Sequence, residues 1–288
     1  MSQPFDDIRA LFHQFPPPDD AAAEAARTAG ADLGPMAGLA AWIARWRGAP
    51  RVMRPILSLY AGAHAGGDAA EARTRLEAIA AGEAPVSRAV RHLGAGLDVF
   101  DLALERPVAD TAVKAAMSER ECAATMAFGM EALAKQPDLL ILAGFGPGAD
   151  EAAHDLAAAL AGEGGERPSV KRALDEAGDN PLQLLRHLGG RETAALAGAI
   201  LAARIQRVPV LLDGAPALAA ALALNAVNPE ATAHCRIGHA PHAVGREAVA
   251  EPWPDLHLGI EDGTASIAVL SIVKLAADMV AQAEQGSA

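Results

Sequence analysis

The sequence predicts an α/β protein built on a doubly wound, mainly parallel sheet of about six strands, with a small helical lobe beside it. Three observations predict this. Pro55-Ile56-Leu57-Ser58-Leu59-Tyr60, Leu139-Leu140-Ile141-Leu142-Ala143 and Val208-Pro209-Val210-Leu211-Leu212 are short and nearly wholly apolar, as strands covered on both faces are. Segments with helical spacing separate them, which is what parallel strands need as crossovers. The runs also open into glycine turns or Asp-Gly, the punctuation of a strand end.

Residues 1–48 read as the helical lobe, completed by the last helix, and 49–288 as the α/β domain. Asp19 and Asp20, after Pro16-Pro17-Pro18, predict a capped helix to about Thr28. A second helix is predicted from Met36 to Trp46, with Leu39, Trp42, Ile43 and Trp46 on one face. After the Pro55–Tyr60 strand come helices over Ala69–Ala81 and Pro85–His92, then a strand over Leu97–Leu102. Ser118-Glu119-Arg120-Glu121 is a capping-box pattern opening a helix towards Lys135. The Leu139–Ala143 strand leads through Gly144-Phe145-Gly146-Pro147-Gly148 into a helix from Asp150 to about Leu160. Residues 161–170 read as a Gly/Glu loop and 181–188 as a helix. Thr193 is the expected cap of a helix to Arg204, and a second small-residue helix follows Asp213-Gly214. A fifth strand is expected over Ala231–Cys235 and a sixth over Leu256–Leu258, before a final helix to about Gln282.

Composition bounds the function. A formal charge of −12 argues against nucleic-acid and anionic-membrane partners. No uninterrupted apolar run reaches the roughly 18 residues that span a bilayer. The opening MSQPFDDIRALFHQF carries two acids and no apolar core of a secretion signal, so a cytoplasmic location is expected. Two cysteines, Cys122 and Cys235, give no disulfide framework. With 51% apolar but only 3% aromatic residues, the core must be filled by Ala, Leu and Val.

Several strand ends carry candidate chemistry. Strand, glycine loop and helix around Gly146 and Gly148 is the geometry that points backbone N–H groups at a phosphate. Asp150 and Glu151, in the first turn of the next helix, oppose that by already satisfying the dipole and repelling an anion. His64 follows the first strand, where open α/β sheets bind ligands, or is simply a half-exposed loop histidine. His234, Cys235, His239 and His242 invite a metal reading, but their spacing fits no helix face or zinc pattern, and no metal or cofactor is expected. Asp262, before Gly263-Thr264, is either a functional carboxylate or the cap of the last helix.

GGRETAALAGAILAA (189–203) followed by VPVLLDG (208–214) resembles the nicotinate-nucleotide:dimethylbenzimidazole phosphoribosyltransferases of cobalamin lower-ligand synthesis, over most of 85–280. Ala116-Met117-Ser118 resembles the family's Ala-Met-Thr. The family's Gly-Glu-Met-Gly-Ile-Gly-Asn-Thr-Thr aligns on Gly146 and Gly148, with Gly144 at the glutamate and Ala149-Asp150-Glu151 at the last three positions. Its Asp-His-Gly becomes Ala63-His64-Ala65. Its Arg-Leu-Gly-Glu-Gly-Thr-Gly-Ala aligns on Gly263-Thr264, which puts Asp262 at the catalytic glutamate and Glu261 just before it.

The resemblance implies transfer of phosphoribose from nicotinate mononucleotide to a benzimidazole-type base, or a family member that has lost turnover and serves as a binding or regulatory protein. It implies Asp262 or Glu261 as the base, Gly146, Gly148, Gly189 and Gly190 at the phosphate, and His64, Asp213 and His234 around the aromatic ring. It also implies a homodimer, to which Leu39, Trp42 and Trp46 either contribute apolar surface or, for the tryptophans, pack instead within the small lobe.

Overall fold

The structure is a computed structural model that describes residues 4–239, 245–249, 258 and 262–286. Five parallel strands form one sheet: β1 (Pro55–Ala61), β2 (Gly96–Asp101), β3 (Leu139–Phe145), β4 (Val210–Asp213) and β5 (Cys235–His239), in the order β2-β1-β3-β4-β5. The expected α/β class and parallel sheet are present, with five strands rather than six among the described residues. Of the sixth expected strand, Leu256 and His257 lie outside the described residues, and Leu258 is in no strand.

Side-chain alternation divides the core into two. Ile56, Tyr60, Leu140, Leu142, Val210, Leu212 and Ile237 face one side. Leu57, Leu59, Ala61, Leu139, Ile141, Ala143 and Leu211 face the other. Both sets are buried, which is why the strands read as continuous apolar runs. Helices cover each face. Against the first lie α1 (Pro4–Leu11), α6 (Glu119–Gly129), α7 (Ala149–Leu160), α8 (Pro168–Ala177), α9 (Pro181–Leu188), α10 (Arg191–Ile205) and α11 (Gly214–Val227). Against the second lie α3 (Pro35–Arg47), α4 (Ala69–Ala80), α5 (Pro85–His92) and α13 (Thr264–Gly286). The remaining helices are α2 (Asp20–Ala29), packed on α3, and the short α12 (Arg246–Val249).

Side-chain caps open α2, α4, α6 and α9. Asp19 and Ser118 accept from Ala22 N and Glu121 N, as their positions predicted. Three expectations need correction. Thr193 is no cap: α10 starts at Arg191, with Gly190 as its N-cap, and Thr193 is buried in its first turn. The 161–170 loop ends early because Pro168 is pre-set for the first helical turn of α8. The fifth strand starts at Cys235 rather than Ala231, because Asn228 caps a 3₁₀ turn over Pro229–Thr232 and consumes those residues.

Small residues let helices approach closely. A Cβ on Gly198 of α10 would meet Met126 O at 1.8 Å, and one on Gly129 of α6 would meet Ala195 O at 1.9 Å. Backbone cannot yield as a side-chain tip does. Gly198→Ala should therefore force α6 and α10 apart and cost about 1–3 kcal/mol, the usual range for overpacking, read from urea unfolding.

The helix α13 contains a window, Thr264–Ala283, that is long and apolar enough to cross a bilayer, with mean hydropathy 1.7. Its apolarity has a use inside this fold: Ile267, Leu270, Val273 and Ala277 are buried against the second face of the sheet. Leu39, Trp42 and Trp46 pack there too, so they provide no outer surface for a second subunit.

Candidate functional site

The strand order reverses its winding between β1 and β3, and open α/β sheets bind ligands beyond the carboxyl ends of strands at such a point. Here the two strand ends are stitched together. Gly62 N donates to Phe145 O at 3.1 Å, and His64 N donates to Pro147 O at 3.0 Å. The contact requires glycine: Gly146 has φ +148°, and a Cβ there would meet Gly62 O at 1.7 Å. Gly148, at φ +79°, lies against the Cβ of His64 and caps α7.

A cavity of about 320 Å³ opens beside this junction, lined by His64 and Gly148, the 109–112 loop, Glu151 and Asp155 of α7, and the start of α8 at Arg167–Ser169. Asp155 is buried, with Arg167 and Ser169 both donating to it, so the α7 and α8 walls are tied together.

Behind His64 stands a carboxylate that sequence reasoning did not single out. His64 Nε2 lies 2.9 Å from Glu192 Oε1, both side chains being buried, Glu192 completely. Thr193 Oγ1 also donates to Oε1, at 3.3 Å, while Oε2 has no hydrogen-bond partner. The carboxylate fills the space that side chains at Gly62 and Gly190 would take: a Cβ there would fall 2.0 Å and 2.3 Å from Oε2. The neighbouring Arg191 turns outward to Glu121 and the Arg106 carbonyl, anchoring the start of α10.

The two groups hold each other charged. Burial pushes the Glu192 carboxyl up, but the His64 charge and hydrogen bond outweigh it, leaving it below its ordinary 4.5. Burial pushes the His64 imidazole down, and the charges of Glu192 and Glu151 carry it back above its ordinary 6.5, against Arg191. By linkage, the Glu192 contribution is lost as pH falls through its depressed folded value. The His64 contribution is lost as pH rises through its raised one. Stability from the pair should thus be greatest between about 4.5 and 6.5. Glu192→Gln should flatten the pH profile of the melting temperature on both sides of that window.

The other predicted residues are placed as follows. Gly189 ends α9 against the Leu185 carbonyl, and Gly190 abuts the His64–Glu192 pair. Asp213, fully buried at the end of β4, accepts from Gly263 N and Ser266 N at 3.0 Å each, and so holds the first turn of α13. Asp262 accepts from Thr264 N at 3.0 Å through one oxygen and pairs with Arg75 at 3.3 Å through the other. Arg75 also lies over the Phe145 ring, 4.8 Å from its centroid, which brings Asp262 beside the end of β3. Glu261 and His242 lie outside the described residues.

His234 stands at the other end of the sheet. It precedes β5, packs edge-on against Trp46, and its Nε2 bonds the Ile200 carbonyl. Burial, then the Arg204 charge, lowers its pKa to about 3, so it stays neutral. His239 is at the far end of β5, on the order of 15 Å away at 3.3 Å per residue. No cluster of three metal-ligating side chains occurs among the described residues.

Comparison with known proteins follows the same lines. The profile of a phosphoribosyltransferase family, DBI_PRT, matches residues 19–288. A Rhizobium etli protein named nicotinate-nucleotide–dimethylbenzimidazole phosphoribosyltransferase is 41% identical over 95% of this chain and 93% of its own. An Agrobacterium fabrum protein of that name is 40% identical over 95% of this chain and 91% of its own. In structure, the phosphoribosyltransferase of that type from Thermus thermophilus superposes with a TM-score of 0.79 at 24% identity, over 91% of this chain and 96% of that one, a likeness of fold. The family profile over residues 19–288 and 41% identity over 95% of the chain agree with the shared fold: the chain belongs to the nicotinate-nucleotide–dimethylbenzimidazole phosphoribosyltransferase family.

Proposed function

We propose that the protein transfers phosphoribose from nicotinate mononucleotide to a benzimidazole-type base in cobalamin lower-ligand synthesis. The observation that carries this reading is identity of about 41% spread over 95% of the chain, including the stretch that builds the switch point. The chemistry asks for little beyond positioning. The pyridinium of nicotinate mononucleotide is a good leaving group, so holding the anomeric carbon against the ring nitrogen of the acceptor does most of the work.

The cavity beside His64 is proposed to receive the reacting groups, with the Gly146–Gly148 turn approaching the phosphoribosyl moiety and Gly190 backing it. Asp213 serves the site through the turn it holds at Gly263, and His234 lies away from it. Asp262, or Glu261 just before it in the sequence, is proposed as the base; Asp262 lies beside Arg75. A 1–48 lobe closed by the last helix is proposed as well, supported by the alanine-rich contact of α2, α3 and Val280. Phe5, Ile8 and Phe12 instead join the core of the other face. We also propose a homodimer, supported by Leu275 and Met279, exposed one turn apart on α13, and a cytoplasmic location, supported by two free thiols.

The direct test is binding. Nicotinate mononucleotide at about 100 times its Kd should stabilise the fold by about 2.7 kcal/mol, a rise of several degrees in melting temperature. No shift at millimolar ligand would reject the reading.

A further inference from the structure

We propose that Arg75 is the positioning residue of the base: it aims the carboxylate of Asp262, which takes the proton from the acceptor. The proposal rests on the function inferred above, narrows its base to Asp262 rather than Glu261, and adds the side chain that holds that base in place.

The main chain around Asp262 is fixed from beneath. Asp213, buried at the end of β4, accepts from Gly263 N and Ser266 N at 3.0 Å each. Gly263 has φ +86°, and a Cβ there would meet Leu57 Cδ1 at 2.7 Å, so the turn tolerates only glycine after Asp262. What remains to be set is the direction of the Asp262 side chain. Its Oδ1 accepts from Thr264 N at 3.0 Å, and among the described residues Oδ2 is held by Arg75 alone, at 3.3 Å. Without Arg75 the carboxylate would keep one hydrogen bond and could turn about it.

Arg75 is itself anchored at the right place. It comes from α4, and its guanidinium lies 4.8 Å from the ring centroid of Phe145, the last residue of β3. The Gly146–Gly148 turn starts there. Its charge also reaches Asp150, in the first turn of α7. Arg75 thus ties the start of α13 to the strand end where the phosphoribosyl moiety is received. Asp262 is not sealed off by these contacts, since 11% of its side chain stays open.

The step balances. The bond from the anomeric carbon to the nicotinate nitrogen breaks, and its electron pair returns to the ring as neutral pyridine nitrogen. The lone pair of the acceptor's bare ring nitrogen forms the new bond, which makes the acceptor ring cationic. Its remaining N–H then passes a proton to the Asp262 carboxylate, which later releases it to water. Each carboxylate oxygen has a second lone pair, so the contacts to Thr264 and Arg75 leave room for that proton. A cation beside a base weakens its pull on a proton, but a cationic ring gives its proton up readily. Placement therefore counts for more here than basicity.

The experiment is steady-state nicotinate release from nicotinate mononucleotide with dimethylbenzimidazole, by the full-length chain and its variants. Arg75→Ala should lose on the order of 10-fold to 10²-fold in kcat, as a misplacement of about 1 Å does. Both KM values should stay within about twofold, because the contact serves the transition state. Added guanidinium should restore part of the loss. Arg75→Lys keeps the charge but not the flat contact with Phe145, and should fall between. Asp262→Asn should lose about 10²-fold or more. Asparagine caps a helix as well as aspartate, so that chain keeps its fold. In the Asp262→Asn background Arg75→Ala should change nothing further, since the two residues act as one unit. If Arg75→Ala does not fold, Arg75→Lys carries the same comparison.

A raised KM for nicotinate mononucleotide with kcat kept would overturn the proposal and make Arg75 a ligand of the donor's phosphate. Losses that multiply in the double variant would overturn it too, as would full turnover by Asp262→Asn. Those results leave the phosphoribosyl transfer standing. A wild-type chain that releases no nicotinate rejects both.

Discussion

Trp46→Ala should destabilise the fold by about 3–5 kcal/mol, the range for deleting a buried large aromatic side chain. Trp46 is 1% exposed and joins two parts of the structure that are distant in sequence. On one side its ring meets His234 edge-on at 5.9 Å, and on the other the Arg204 guanidinium lies 4.8 Å from its centroid. Arg204 is sandwiched between Trp46 and Phe15, and it donates to the carbonyls of Pro16 and Glu230. Removing the indole would open a cavity under a buried cation, which water would then have to solvate. Trp46→Phe gives the contrast. The indole N–H has no partner among the described residues, so phenylalanine loses packing volume but no hydrogen bond. It should cost less than half of the alanine change in urea unfolding. Equal costs would mean that the N–H, not the ring, does the holding.

Asp213→Ala should cost roughly 2–6 kcal/mol, because it strands two buried N–H donors at about 1–3 kcal/mol each. Those donors, Gly263 N and Ser266 N, form the first turn of α13, so loss of Asp213 should also loosen Asp262 and its contact with Arg75. Hydrogen exchange at Gly263 and Ser266 should report this directly. The pH dependence has an unusual sign. Burial raises the Asp213 pKa to about 6, although Ser266, Gly263 and His239 pull it down. The folded chain therefore binds a proton between 3.8 and about 6 that the unfolded chain has released. Stability from this group is full below 3.8 and is lost as pH rises through 6. Asp213→Asn cannot titrate, so its stability deficit against the wild type should be larger at pH 4 than at pH 8. The opposite trend would show that the carboxylate is needed in its charged form.

The fold was legible where burial and periodicity coincide. β1, β3 and β4 are buried on both faces and announce themselves as apolar runs, and α2, α3, α4 and α5 carry caps, prolines or clear amphipathic faces. β5 was read early because Cys235-Arg236-Ile237-Gly238-His239 has no clean alternation, while Ala231-Thr232 looked more strand-like than the turn it forms. At the site, His64 and the Gly146–Gly148 turn were visible because strand ends point to them. Glu192 was not, since an acid in a first helical turn reads as a partner for the dipole. The available signal was its surroundings: α10 is buried almost all round, and a charge inside such a helix has to find a partner. That partner, His64, is 128 residues away, and only the fold brings the two together.

One measurement tests the function most directly: nicotinate release from nicotinate mononucleotide by the purified chain, with and without dimethylbenzimidazole. Release that depends on the acceptor and forms one ribosylated base per nicotinate is the expected result. Tight binding of nicotinate mononucleotide with no acceptor-dependent release would contradict the account, leaving a protein that keeps the family's fold and has lost its turnover.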